Sequence, residues 1–297
     1  MALIEIDDKK IYYEEFGADN NKTIVYFHGG PGESCLTYTH QAKVLGEKFH
    51  VISFDQYGVL RSDAIPENTP FGVKDHVELI EQMRIALGIK TWTPLGHSYG
   101  GMLACCYAFL YPNSVDKVIY DCPMWSTLST ARTIASAFLP YYKDHNDESK
   151  IRICNYILND NISAENAFKK AISLEVDDGL KKFCHVIDDK EYEDYIVKYI
   201  PQVDIPEEYW YKYLHFTKML FAKGDFYDNY LLQLSEIEKP QLLMVGEYDI
   251  TCGKDQIDWF CNRSKNGKYV SLENSAHLSW MQVPDKYLTT ITDFMEG

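Results

Sequence analysis

Short strand-like runs rich in apolar, β-branched and aromatic residues, at 23–27, 50–54, 91–95 and 117–120, punctuate the first part of the chain. Each is too brief for a helix and reads as a buried strand. Between them, 35–48, 73–87 and 102–111 carry helical patterns; Val77, Ile80, Met83 and Leu87 recur at helical spacing and Gly88 closes the segment. Alternating strand and helix implies a mostly parallel sheet covered on both faces. Residues 2–6 and 11–16 predict an opening hairpin around an Asp-Asp-Lys-Lys turn. The alternation resumes with strands at 241–245 and 269–272 and helices at 255–261 and 285–295.

The stretch 124–236 breaks this rhythm. It holds no strong strand run, and its spacing is helical at Ile153, Cys154, Ile157 and Leu158 and again at Tyr192, Tyr195, Ile196 and Tyr199. The expected division is therefore a sheet domain from 1–123 and 237–297, with a helical insertion at 124–236.

Composition narrows the function classes. The 297 residues are 46% apolar and 25% charged, enough for a sizeable core. Tyr, Phe and Trp number 23, 14 and 5, which points to an aromatic-rich core or pocket. A formal net charge of −15 argues against nucleic acid and anionic membrane surfaces, and it could attract a cationic substrate group. The N-terminal residues carry no signal-peptide pattern, and no run reaches the roughly 18 apolar residues of a membrane helix. The eight cysteines, Cys184 among them, lie scattered without a C-x-x-C pair and read as reduced, mostly buried thiols of a cytoplasmic protein. No metal-ligand spacing occurs, and no cofactor is expected.

Candidate chemistry centres on Gly96-His97-Ser98-Tyr99-Gly100-Gly101, a G-x-S-x-G pattern between a predicted strand and a predicted helix. A serine on such a turn needs small flanking residues, and it needs a base and an orienting acid to become nucleophilic. Asp249 follows the strand 241–245 and His277 follows the strand 269–272, both where loops leave the carboxyl ends of strands. The chain order Ser98, Asp249, His277 fits acyl transfer. Oxyanion donors are expected from the Tyr99 amide and from Gly30 or Gly29 in His28-Gly29-Gly30-Pro31-Gly32, whose glycines let backbone approach a substrate. His97 is set aside, because adjacent side chains on a sharp turn diverge. His28 is expected to bond locally. His40, His50, His76, His145, His185 and His215 are read as structural.

Together His28-Gly29-Gly30-Pro31-Gly32, Asp55-Gln56-Tyr57-Gly58 with Arg61-Ser62, the serine motif, Gly246-Glu247-Tyr248-Asp249 and Ser275-Ala276-His277 resemble the proline iminopeptidase family. The resemblance implies the α/β-hydrolase fold, with a helical cap formed by 124–236 over the site. It also implies release of an N-terminal residue, often proline, from short peptides through a Ser-His-Asp acyl-enzyme.

The same resemblance implies acidic residues around the substrate's α-amine. Ile250 stands where one family glutamate follows the aspartate, and Asp225 in Gly224-Asp225-Phe226 is the nearest match to another. Glu33 and Glu247 are further candidates. Leu60 occupies a usual glycine position in the Asp55-Gln56 loop. The alternatives are an esterase, lactonase or amidase for an uncharged small molecule, and a non-catalytic ligand-binding receptor of the same fold.

Overall fold

The computed structural model describes residues 2–159, 161–175, 189–201 and 203–297. Cys184, His185 and the side chain of Tyr192 lie outside the described residues.

An eight-stranded sheet has the order β1-β2-β4-β3-β5-β6-β7-β8. Its strands are β1 (Ala2–Ile6), β2 (Lys9–Phe16), β3 (Thr23–Phe27), β4 (His50–Phe54), β5 (Thr93–His97), β6 (Val118–Asp121), β7 (Gln241–Gly246) and β8 (Gly267–Leu272). The strands β1 and β2 form the antiparallel opening hairpin, and β2 also pairs antiparallel with β4. All pairs from β4 through β8 are parallel. The hairpin turn is tighter than the sequence suggests. Asp7 and Asp8 alone make it, both at positive φ, and Lys9 already pairs with Ile6. Aspartate tolerates the left-handed region better than most residues.

Alternation along each strand divides the core. Ile24 and Tyr26 face one side with α1 (Thr39–Leu45), while Val25 and Phe27 face the other with α2 (Val73–Ala86) and α3 (Tyr99–Leu110). A closing helix, Pro284–Glu296, adds Tyr287, Ile291 and Met295 to the α1 side. With both faces covered, the central strands are buried along their whole length, which explains their unbroken apolar runs.

Between β6 and β7 the described residues form helices. The first three are α4 (Thr127–Asp144), α5 (Glu148–Ile157) and α6 (Ala164–Glu175). They pack on one another around Ile134, Phe138, Tyr142, Cys154 and Ala171, a core of their own. Later come α7 (Asp189–Tyr199), α8 (Glu207–Trp210), α9 (Lys212–Lys223) and the short α10 (Leu231–Leu234). Phe216, Met219 and Leu220 of α9 join the main core on the α3 side. The segment leaves and rejoins the sheet side by side, since Ser126 and Asn229 form an antiparallel bridge.

Candidate active site

Ser98 occupies the turn from β5 into α3 at φ 53 and ψ −118. A side-chain-bearing residue holds that region only where its surroundings fix it. Three glycines leave it that room. A Cβ on Gly96 would strike the Gly100 carbonyl, one on Gly100 the Phe27 carbonyl, and one on Gly101 would lie 2.5 Å from Pro123 Cβ. The end of β6 grips the turn as well. The Ser98 amide donates to the Asp121 carbonyl at 3.0 Å, and the Met124 amide donates to the Ser98 carbonyl at 3.0 Å.

The loops after β7 and β8 are stitched together. The Tyr248 amide donates to the Ser275 carbonyl at 3.0 Å, and Gly246 lies so close to the Ala276 carbonyl that no side chain would fit. This brings His277 Nδ1 to 2.8 Å from Asp249 Oδ1. Asp249 also accepts from the Thr251 amide at 3.1 Å and the Cys252 amide at 2.8 Å. Burial alone would raise the Asp249 carboxyl, but His277 and these amides hold it below the ordinary range. For His277, burial opposes the charged form, yet Asp249 prevails and the imidazole is raised. A carboxylate can only accept, so Nδ1 carries the proton of the neutral imidazole.

The glycine loop after β3 is braced from beneath. The Gln56 amide donates to His28 Nε2 at 3.0 Å, and Gln56 Nε2 donates to the His28 carbonyl at 2.8 Å. Burial lowers the His28 pKa to about 4, so this brace is neutral. Asp55 receives Arg61 Nε at 2.6 Å and Ser34 Oγ at 2.6 Å, and the guanidinium lies 3.8 Å from the centre of the Tyr12 ring. The Asp55-Gln56…Arg61-Ser62 motif is therefore a clamp under the loop. Leu60 sits at φ 35, in the region a glycine would occupy without strain.

On the other side of that clamp, Gly30 is exposed at φ 109, and Tyr99 opens α3, where the first amides have no acceptor within the helix. The two amides expected to receive an oxyanion thus lie on the two chain segments that flank Ser98.

The remaining predicted residues separate. Gly29 abuts the serine turn: an added Cβ would lie 3.0 Å from Ser98 Cβ, 2.8 Å from His97 Cδ2 and 3.3 Å from Glu33 Oε2. Glu33 thus belongs to the site wall. Burial raises its carboxyl, Thr37 donates to it at 3.1 Å, and the nearby His277 lowers it again in part. Asp225 does not face the site as a free carboxylate. It receives the Val73 amide at 3.0 Å and the Lys74 amide at 3.1 Å, capping α2 from outside. Ile250 packs against the α4–α6 core. Glu247 is exposed and receives the Asn274 amide at 3.0 Å, outside the site.

Two features escape the sequence reading. The side chain of His97 does diverge from Ser98, but its ring then rests 4.6 Å from the His277 ring, with Nδ1 3.0 Å from Asp121 Oδ2. The visible signal was Asp121 at a strand end beside the serine strand. The second feature concerns Gly32, whose empty side-chain position is met by α9, and Gly58, where Ile65 and α9 share the space. An added Cβ would lie 2.7 Å from Tyr213 Cβ at Gly32 and 3.0 Å from Phe216 Cδ2 at Gly58. Gly32 thus makes room for the overlying helix.

Donor atoms of Cys122, Asp249 and His277 lie within 4.8 Å of one another. Asp249 and His277 already share a proton, and burial raises the Cys122 thiol well above its usual range. That set fits a proton better than a metal ion.

A family described as the alpha/beta hydrolase fold matches residues 22–153. Among solved structures, a proline iminopeptidase-related protein from Thermus thermophilus superimposes with a TM-score of 0.74 at 19% identity, covering 99% of this chain and 96% of that one. The fold is that of an α/β-hydrolase. Another α/β-hydrolase-fold neighbour, described as an N-acyl homoserine lactone degrading enzyme, has a TM-score of 0.66 at 19% identity, covering 99% of this chain and all of the other. In sequence, the chain resembles the proline iminopeptidase family. The proline iminopeptidase of Heyndrickxia coagulans is 24% identical over 302 residues, covering 100% of this chain and 98% of that protein. Among the described residues, no helix of this α/β-hydrolase fold is long and apolar enough to cross a membrane.

Proposed function

We propose that the protein is a cytoplasmic serine hydrolase of proline iminopeptidase type that removes the N-terminal residue from short peptides or amides. The observation that carries the reading is His277 Nδ1 at 2.8 Å from the buried Asp249 carboxylate, with the His277 ring 4.6 Å from that of His97, the residue before a serine held at φ 53. In this mechanism His277 Nε2 takes the Ser98 proton as Oγ attacks the substrate carbonyl. The Tyr99 and Gly30 amides receive the oxyanion. His277 then protonates the departing amine, and water attacks the acyl-enzyme by the same route in reverse. Asp249 fixes the tautomer and stabilises the imidazolium. The helices of 124–236 act as the cap, and Gly29 lines the floor of the site.

A substrate ammonium entering this site needs an anion, since an unpaired buried charge is expensive. Glu33 supplies it in this proposal. Its carboxyl is raised by burial, so an ammonium beside it would favour the ionised form. A second reading, an esterase, lactonase or amidase for uncharged small molecules, draws support from Ile250, which is apolar, and from Asp225, which is engaged on α2.

Turnover of prolyl p-nitroanilide, N-acetylprolyl p-nitroanilide and p-nitrophenyl acetate tests the choice. The proposal expects the free-amine amide to be cleaved and its acetylated form to be refused, with all activity lost in Ser98→Ala. Cleavage of the ester alone would favour the second reading.

A further inference from the structure

Asp121 touches both ends of the candidate machinery. Its carbonyl receives the Ser98 amide at 3.0 Å. Its carboxyl is bonded to His97 Nδ1 at 3.0 Å, and the His97 ring lies 4.6 Å from that of His277, tilted by 49°. Trp280 closes the other side of His97 edge-on at 4.3 Å. His97 and Asp121 are only 1% and 0% exposed. A buried histidine–carboxyl pair of this kind is demanding to maintain where apolar packing would serve.

We propose that His97 and Asp121 are positioning residues for His277, holding its imidazole beside the serine turn through a ring contact backed by a buried carboxyl. The inference rests on the Ser98–His277–Asp249 reading and adds a second pair behind it. Charge on that pair is felt at His277, which lies close enough to lower the Asp121 carboxyl and to be raised by it. The other titratable groups facing Asp121 are Tyr287 from the closing helix, Tyr38 from the turn before α1, Tyr26 from β3, Glu33, Cys122 and Asp249. Among these, Tyr287 donates to Asp121 Oδ2 at 3.4 Å, while Oδ1 has no hydrogen-bond partner among the described residues. Burial raises the Asp121 carboxyl to about 8 and keeps His97 uncharged, so the pair is neutral below that range and places a negative charge beside His277 as pH rises through it.

The test combines an imidazole NMR titration of His277 with the rate at which a fluorophosphonate labels Ser98. Both are run on the full chain and on Asp121→Asn, His97→Ala and His97→Phe, with melting curves to identify folded variants. Asp121 loses its proton within the range of the titration, so Asp121→Asn should lower the His277 midpoint by about half a unit or more. His97→Ala should slow labelling about tenfold, and His97→Phe, which keeps a ring in place, should restore most of the rate. Folded variants with the wild-type midpoint and wild-type labelling rate would overturn the proposal. Absence of Ser98 labelling in the wild type would instead defeat the serine-hydrolase reading, and the titration would still decide whether the pair acts on His277.

Discussion

Tyr213 of α9 stands over Gly32, so close that a Cβ added to the glycine would lie 2.7 Å from Tyr213 Cβ. Gly32 also sits at φ 94, a region that disfavours any side chain. Gly32→Ala therefore meets two penalties and should lose about 2–4 kcal/mol of stability. A denaturant midpoint checks this. Labelling of Ser98 should also change, since the strained loop carries Gly30.

Asp225→Ala removes a carboxylate that receives two amides at the start of α2. The expected loss is about 1–2 kcal/mol, with little change in KM for a free-amine substrate. A KM rise above tenfold with unchanged stability would return Asp225 to the substrate site.

Glu33→Gln tests the anion assigned to the substrate amine. Under the aminopeptidase reading, KM for prolyl p-nitroanilide should rise about tenfold or more, because a charged hydrogen bond is lost. Hydrolysis of p-nitrophenyl acetate should stay within about threefold. Equal effects on both substrates would count against an amine role.

Asp249→Asn keeps the shape of the acid but cannot stabilise the imidazolium. The turnover number should fall about 10⁴-fold while the fold is retained. Steady-state kinetics on whichever reporter is cleaved gives the answer.

Asp121 makes a signed prediction about stability. Burial raises its carboxyl from 3.8 to about 8 in the folded chain. Across that window the unfolded chain has released the proton and the folded chain retains it, so folding is penalised increasingly as pH rises. Asp121→Asn removes the penalty. It should melt above the wild type at neutral pH, and the gap should shrink as pH falls towards 4. A gap that stays constant with pH would contradict it.

The parallel sheet was legible because β3, β6 and β7 are buried along their whole length and β4 along all but its first residue, so they read as short, mostly apolar runs. The strand-end positions of Ser98, Asp249 and His277 were legible for a related reason. Each follows a strand end, and strand ends in such a sheet converge. Asp225 was misread because its neighbours in sequence say nothing of Val73 and Lys74, which reach it from more than a hundred residues away. The His97–Asp121 pair was hidden for the same reason. It depends on β5 lying next to β6, with His97 opposite Asp121 in register. Gly32 was read with its neighbours as a substrate approach because an absent side chain does not announce what fills its space.

The same helix that fills that space also reaches back with Lys212, whose ammonium donates to the Leu60 carbonyl at 2.9 Å and the Ser62 carbonyl at 2.8 Å. One element thus fastens to the glycine loop through Gly32 and to the Asp55–Arg61 clamp through Lys212. Ser98 beneath retains 6% of its surface. Any passage to the serine that displaces α9 must unfasten both attachments at once, so admission of a substrate and release of the loop that carries Gly30 would be a single event rather than two.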